Sequence, residues 1–335
     1  MGYIPGGRIF ATSIPVRNLP MIRSLAALLD DGRIQSFEFD DADGIAIPIV
    51  LRDQIQLQID AGSVLTSFRV RPDAGAGRIA AIAGPTSGAF FTAYEFDLTG
   101  AKQSSITVGQ VAGASIDRTD SGQSWVSTNK GVFMWIVDND YCAISPQDAS
   151  AATGMICQSS FRSPYFLYGN AEGNLVIHDT RQGELYSMKP RRFGVSSFGD
   201  NGENLDLAVF AVHETGNSVA VLWSSKGPID GDPENFVSRI AVCTKASLIR
   251  AAKLGERVET TIAMANKQLL GLSSNDVSLE LIATGQPRGI FLRFVFNILT
   301  NRWEETHTID VDDLLAELDP VLHTHRLRFV QSIES

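Results

Sequence analysis

Three observations predict an all-β architecture built from a repeated unit. Short apolar runs are separated by turns that carry glycine, the glycines recur at a near-constant spacing, and the runs alternate apolar and polar residues. Gly88, Gly131, Gly173 and Gly216 are separated by 43, 42 and 43 residues. A period of about 40–50 residues with several short strands in each unit is the signature of β-propeller blades. The predicted fold is a single β-propeller over residues 1–335. Seven blades are expected, with six or eight as alternatives, and a short helix near the C-terminus.

The units follow in order. Ser24–Leu29 and Arg33–Phe39 flank a turn at Gly32, and Ile79–Ala83 and Ala89–Phe96 flank one at Gly88. Trp125–Ser127 and Val132–Val137 surround Gly131, and Tyr165–Tyr168 and Asn174–His178 surround Gly173. Leu207–Val212 and Asn217–Trp223 surround Gly216, and Leu279–Ala283 and Ile290–Phe296 surround Gly289. Glycine suits such turns because a tight hairpin needs φ > 0, which costs it no Cβ clash. Gly32 and Gly88 are 56 residues apart, room for one unit with an insertion around Asp60–Ala76. Gly216 and Gly289 are 73 apart, room for a weakly marked unit turning near Gly255.

Strand character shows in the period-two pattern. Ile55, Leu57 and Ile59 alternate with Gln54, Gln56 and Gln58, and Leu292, Phe294 and Phe296 alternate with Arg293, Val295 and Asn297. A blade with two apolar faces must stack on neighbours, which a ring of blades achieves. At the C-terminus, the acids opening Asp310–Leu318 and the following Pro320 predict the short helix. Leu327–Ile333 then reads as a closing strand, with Arg8–Ile14 as its expected N-terminal partner.

Composition narrows the functional classes. Apolar residues make up 44% of the chain, ample for a core, and the net charge is −10 with a pI near 5.0. An acidic chain argues against nucleic acid, whose binders carry a basic face, and against anionic membrane surfaces. The basic cluster Lys189, Arg191 and Arg192 reads as a solvated loop. Asp40, Asp41 and Asp43, and Asp138 and Asp140, read as turns between strands. Three cysteines (Cys142, Cys157, Cys243) without a CxxC pair do not make a disulfide framework. The N-terminus shows no apolar core of signal-peptide length, and no run approaches the ~20 apolar residues of a spanning helix. A cytoplasmic or virion-associated protein without membrane insertion is expected.

Several segments resemble known propeller repeats. Phe294–Glu305, with its aromatic run, Thr-Asn turn and tryptophan, resembles a kelch-type outer hairpin. Tyr94–Gly100 and Ile177–Gly183 are similar to it more distantly. Asp120-Ser121-Gly122-Gln123-Ser124-Trp125 resembles the Asp-box of sialidase-type propellers. That resemblance implies that Asp120 caps a hairpin with Gly122 and Ser124, while Trp125 packs inside. Phe161-Arg162-Ser163-Pro164 resembles the sialidase motif whose arginine binds a sugar carboxylate, which makes Arg162 a glycan-site candidate.

Chemistry-bearing motifs are otherwise sparse. His178 and Asp179 are adjacent on a strand end, so they face opposite ways and do not form a base–orienter pair; a surface or turn hydrogen bond is expected. His323 and His325 share a strand face, but two imidazoles fall short of the three or four ligands of a zinc site. Trp135 and Trp223 lie in strands and read as core. No catalytic residue, metal site or cofactor is assigned. The expected function is a non-catalytic interaction scaffold with protein partners in a homo- or hetero-oligomeric assembly, such as a phage or virion tail or appendage. The alternative is a sialidase-like carbohydrate-active or glycan-binding protein.

Overall fold

The computed structural model describes residues 24–29, 33–39, 49–71, 78–85, 90–97, 99–110, 114–118, 124–128, 131–136, 140–143, 160–162, 164–170, 172–199, 202, 204–229, 231–275, 279–286, 290–310 and 327–333. They form a β-propeller of four-stranded antiparallel sheets. The first sheet joins β1 (Ser24–Leu29), β2 (Arg33–Phe39), β3 (Ile49–Gln56) and, on the far side of β1, β24 (Leu327–Ile333). The second holds β4 (Ser63–Arg71), β5 (Arg78–Pro85), β6 (Phe90–Asp97) and β7 (Lys102–Gln110). The third holds β8 (Ala114–Arg118), β9 (Ser124–Thr128), β10 (Gly131–Ile136) and β11 (Asp140–Ala143). The fourth holds β12 (Ser160–Arg162), β13 (Tyr165–Gly169), β14 (Leu175–Asp179) and β15 (Glu184–Met188). The fifth holds β16 (Leu207–Glu214), β17 (Ser218–Ser225), β18 (Ser238–Thr244) and β19 (Thr261–Ala265). The sixth holds β20 (Gln268–Asn275), β21 (Glu280–Gln286), β22 (Ile290–Asn297) and β23 (Arg302–Asp310).

Contacts between the leading strands run in a circuit: β24 touches β4, β4 touches β8, β8 touches β12, β12 touches β16, β16 touches β20, and β20 returns to β24. The last strand lies antiparallel to β1, with Ala27 opposite Val330. The partner of Leu327–Ile333 is thus Ser24–Leu29; Arg8–Ile14, the expected partner, lies outside the described residues.

Two-sided burial explains the stacking. Every residue of β14 and of β16 is buried. Along β17, Val219, Val221 and Trp223 join the core shared with the fourth sheet, while Ala220 and Leu222 join the core shared with the sixth. Val219, Val221 and Leu222 each contribute roughly 1.5–3 kcal/mol by leaving water. Trp223 is core, as its strand position predicts, and its indole N–H donates to the Gly173 carbonyl of the neighbouring sheet at 3.1 Å. The alternation expected in Gln54–Asp60 is present: Ile55 and Leu57 are buried, Gln56 and Gln58 exposed.

Three of the third-to-fourth-strand turns share one device. Asp97 Oδ1 accepts from the backbone N–H groups of Thr99 and Ala101 at 2.9 and 3.1 Å. Asp179 Oδ1 accepts from those of Arg181 and Gln182 at 3.0 and 3.2 Å. Asn297 Oδ1 accepts from those of Leu299 and Thr300 at 3.0 and 3.2 Å. The three turns fall in hairpin segments singled out from sequence, and the side chain closes each turn by mimicking a backbone acceptor. In the fifth sheet the same position is Thr244, whose hydroxyl accepts from Ser247 N–H and starts helix α1 (Lys245–Leu254).

Helix α1 differs from expectation. The segment around Gly255 is read from sequence as a hairpin turn, but Gly255 is the left-handed C-cap of α1, with φ +73°. Leu248 and Ala251 from α1 fill the core between the fourth and fifth sheets. The described residues form six sheets, and Gly255 marks no further one among them. The C-terminal helix expected at Asp310–Leu318 falls beyond β23, outside the described residues except for Asp310.

Candidate functional site

The fifth and sixth sheets are joined through small residues. Ala208, Ala211, Ala220, Ala263 and Ala265 of the fifth meet Leu269, Leu272, Leu281 and Ala283 of the sixth. Toward one end the side chains no longer meet, and a cleft of about 360 Å³ opens. That size lies at the lower end of the range typical of ligand-binding cavities. Val242, Leu281, Phe296 and Trp303 give it an apolar lining, with Ser218, Thr244, Thr261 and Ser274 around them and Glu259 at an exposed position.

Each wall is fixed by a specific contact. The Trp303 indole N–H donates to Thr261 Oγ1 at 3.0 Å, bridging the outer strands of the two sheets. Its ring packs on Phe296 with centroids 5.1 Å apart and planes at 56°, a tilted geometry that aromatic pairs favour. Ser274 N–H donates to His213 Nδ1 at 3.0 Å. Glu280, 1% exposed, pairs with the Arg293 guanidinium, 12% exposed, in a buried ion pair within the sixth sheet. Burial pushes the Cys243 thiol up to about 12, so it stays protonated and serves as a small apolar wall. Leu279, beside Glu280, has φ +50°, an unusual conformation for leucine at the lip of a cleft.

One residue pair beyond Phe296 and Trp303 the strands end in a turn. Ile298 and Leu299 form its tip and are 72% and 96% exposed. The tip is stiff: Asn297 holds two backbone N–H groups and donates through Nδ2 to Glu304 Oε1 at 2.8 Å. Asn301 takes the left-handed conformation, φ +55°, that turns the chain back. An apolar cleft and an exposed aliphatic tip therefore adjoin on the sixth sheet.

The residues singled out from sequence lie elsewhere. Arg162 ends β12 opposite Tyr165; its side chain is outside the description. Ser124 and Trp125 open β9, opposite Arg118 and Asp117 of β8, while Asp120 and Gly122 fall outside the described residues. Gly131 opens β10 opposite Thr128, and Gly173 turns β13 into β14 with φ +80°. Gly216 sits between the first and second strands of its sheet, whereas Gly131 and Gly173 sit between the second and third. Gly32, Gly88 and Gly289 lie outside the described residues, as do His323 and His325.

His178 and Asp179 are both buried instead of lying at the surface. Asp179 closes its turn as described. Among the described residues His178 Nδ1 has no hydrogen-bond partner, and burial lowers its pKa. Lys189 precedes a 3-10 turn over Pro190–Phe193. With Arg191, Glu172 and Asp206, Lys189 lines a separate polar cavity of about 290 Å³. No group of three or more His, Cys, Asp or Glu among the described residues could hold a metal ion. Sequence reasoning missed the cleft as a site, although Phe296 and Trp303 lie inside Phe294–Glu305, a segment that it singled out.

No family model and no curated protein matches the chain. Solved structures do. A structure of a nidogen/laminin complex matches with a TM-score of 0.54 at 8% identity, over 92% of this chain and 97% of that one. The β-propeller domain of Cps50 (Swd1) from Myceliophthora thermophila matches with a TM-score of 0.50 at 11% identity, over 92% of this chain and 88% of that one. At such identities the likeness establishes the propeller fold and nothing further. No helix among the described residues is long and apolar enough to cross a membrane.

Proposed function

We propose that this chain is a non-catalytic interaction scaffold. In this reading residues 1–335 form one propeller domain, closed by the pairing of β1 with β24, and the domain is a subunit of a larger protein assembly. The observation that carries it is the apolar cleft between the fifth and sixth sheets, with Ile298 and Leu299 exposed beside it. Large aliphatic side chains held out into water by a stiff turn, next to an unfilled apolar cleft, fit a docking surface for protein. The structures of similar fold include one solved in a protein complex, which supports the same reading.

The partner feature implied is an apolar side chain presented by a peptide or loop. Panning random peptides on the purified protein should enrich sequences with one apolar anchor. Val242→Phe, which fills the cleft, should weaken those peptides at least about tenfold, the loss of one buried aliphatic contact. Peptide binding that Val242→Phe leaves unchanged would remove the cleft from the account. A glycan-array signal lost in Arg162→Ala but kept in Val242→Phe would replace the scaffold with the glycan-binding alternative. What co-purifies with the native protein would identify the assembly, a virion tail or appendage included.

A further inference from the structure

We infer that a second copy of this chain occupies the cleft, the Ile298–Leu299 tip of each molecule entering the cleft of the other. The inference rests on reading the cleft as a protein-docking site and names its occupant.

Four features support it. The tip and the cleft are both on the sixth sheet, one residue pair apart along β22 and β23. A surface that carries a knob and a matching hole side by side is self-complementary, so a two-fold axis places each knob in the partner's hole and the contact closes at two molecules. The chemistry matches, since aliphatic Ile298 and Leu299 would meet Val242, Leu281, Phe296 and Trp303. The charges also match. Exposed Arg302 stands at the base of the tip, opposite Asn297, and exposed Glu259 stands at the cleft. The same axis brings each Arg302 toward the partner's Glu259, and Glu304, the nearest acid on the hairpin, is already tied to Asn297 and Thr300. Finally, the knob is preorganised: the Asn297 bonds fix the turn before association, which lowers the ordering cost of binding.

The test is sedimentation velocity on the full chain from about 1 to about 200 µM, a span chosen for weak to moderate association. The native protein should show a reversible monomer–dimer equilibrium. Leu299→Asp should raise the dimer dissociation constant about a hundredfold, a factor of ten or more from each of two symmetric contacts. Val242→Phe should do the same from the other side of the contact. Mixed together, the two variants should form a heterodimer that neither forms alone, because one retains the cleft and the other the knob. Arg302→Glu should weaken the dimer, and Arg302→Glu with Glu259→Arg should restore it. A native protein that stays monomeric throughout, or a dimer unmoved by Leu299→Asp, would overturn the inference. If that result came with peptide binding sensitive to Val242→Phe, the scaffold reading would stand and only the second copy would fall. If no such peptide binding were seen either, both would fall. Circular dichroism of each variant separates loss of contact from loss of fold.

Discussion

Gly173 lies where the fourth sheet meets the fifth, and replacing it with alanine should cost about 2.5–6.5 kcal/mol. The figure has three sources. Its φ of +80° lies in the left-handed region, where a Cβ costs roughly 1–2 kcal/mol. A Cβ built there would stand 2.1 Å from the Leu207 carbonyl oxygen on the neighbouring sheet. Backbone cannot rotate away as a side chain can, so the sheets must part, and overpacking of this kind typically costs about 1–3 kcal/mol. Parting them also stretches the Trp223 bond to the Gly173 carbonyl, and a hydrogen bond is worth about 0.5–1.5 kcal/mol. Gly183 is the internal control: its φ is +70°, but a Cβ there would meet nothing within 4 Å, so Gly183→Ala should cost only about 1–2 kcal/mol. Gly216 has open space and no positive φ, so Gly216→Ala should be close to neutral. Urea unfolding followed by tryptophan fluorescence measures all three. Equal losses for Gly173→Ala and Gly183→Ala would refute the close approach of the two sheets.

Two further expectations follow from buried charge and proton binding. His178 is buried with its pKa lowered from 6.5, chiefly by burial, against a smaller opposing pull from Asp179. The unfolded chain therefore binds the proton more readily, so His178 leaves stability intact above about pH 6.5 and erodes it as the pH falls below that value. In His178→Phe, the decline of stability between pH 7 and pH 5 should be shallower than in the native protein when measured by urea unfolding at each pH; an identical decline would contradict the burial. Glu280→Gln should destabilise by about 3 kcal/mol, because it leaves the Arg293 guanidinium buried without its counter-charge. Glu280→Leu combined with Arg293→Met should recover much of that loss in the same assay, and a double variant no better than Glu280→Gln would argue against the pair.

Much of the architecture is legible in the sequence because strand periodicity and turn chemistry are local. The pairs of runs around Gly32, Gly131 and Gly173 fall on β1 and β2, β9 and β10, and β13 and β14. Phase within the repeat is less legible. Gly216 continues the 43-residue rhythm yet belongs to a different turn of its sheet, because the long connection from Met188 to Leu207, with its 3-10 turn over Pro190–Phe193, delays the start of the fifth unit. Helix α1 carries its own signals, Thr244 as N-cap and Gly255 as C-cap around Leu248 and Ala251, but a search for hairpin glycines assigns Gly255 to a turn. The burial of His178 and Asp179 also needs tertiary information, since β14 is covered on both faces only when its neighbours stack. The cleft is legible least of all. It depends on where two sheets diverge, and its lining comes from seven separate stretches of chain between Ser218 and Trp303. Composition along the sequence marks none of them as a group, although Ile298-Leu299 within a polar turn is a local anomaly that points to the tip.

The ring closes where the first described strand and the last share a sheet. A cysteine pair at Ala27 and Val330, opposite one another in that sheet, tests it most directly, in a background with Cys142, Cys157 and Cys243 replaced by serine, serine and alanine. Mild oxidation of the folded protein should cross-link the pair nearly completely, and a control pair at Ala27 and Arg302, which belong to different sheets, should remain reduced. Failure of the Ala27–Val330 pair to cross-link in a protein that is otherwise folded would contradict the closed ring.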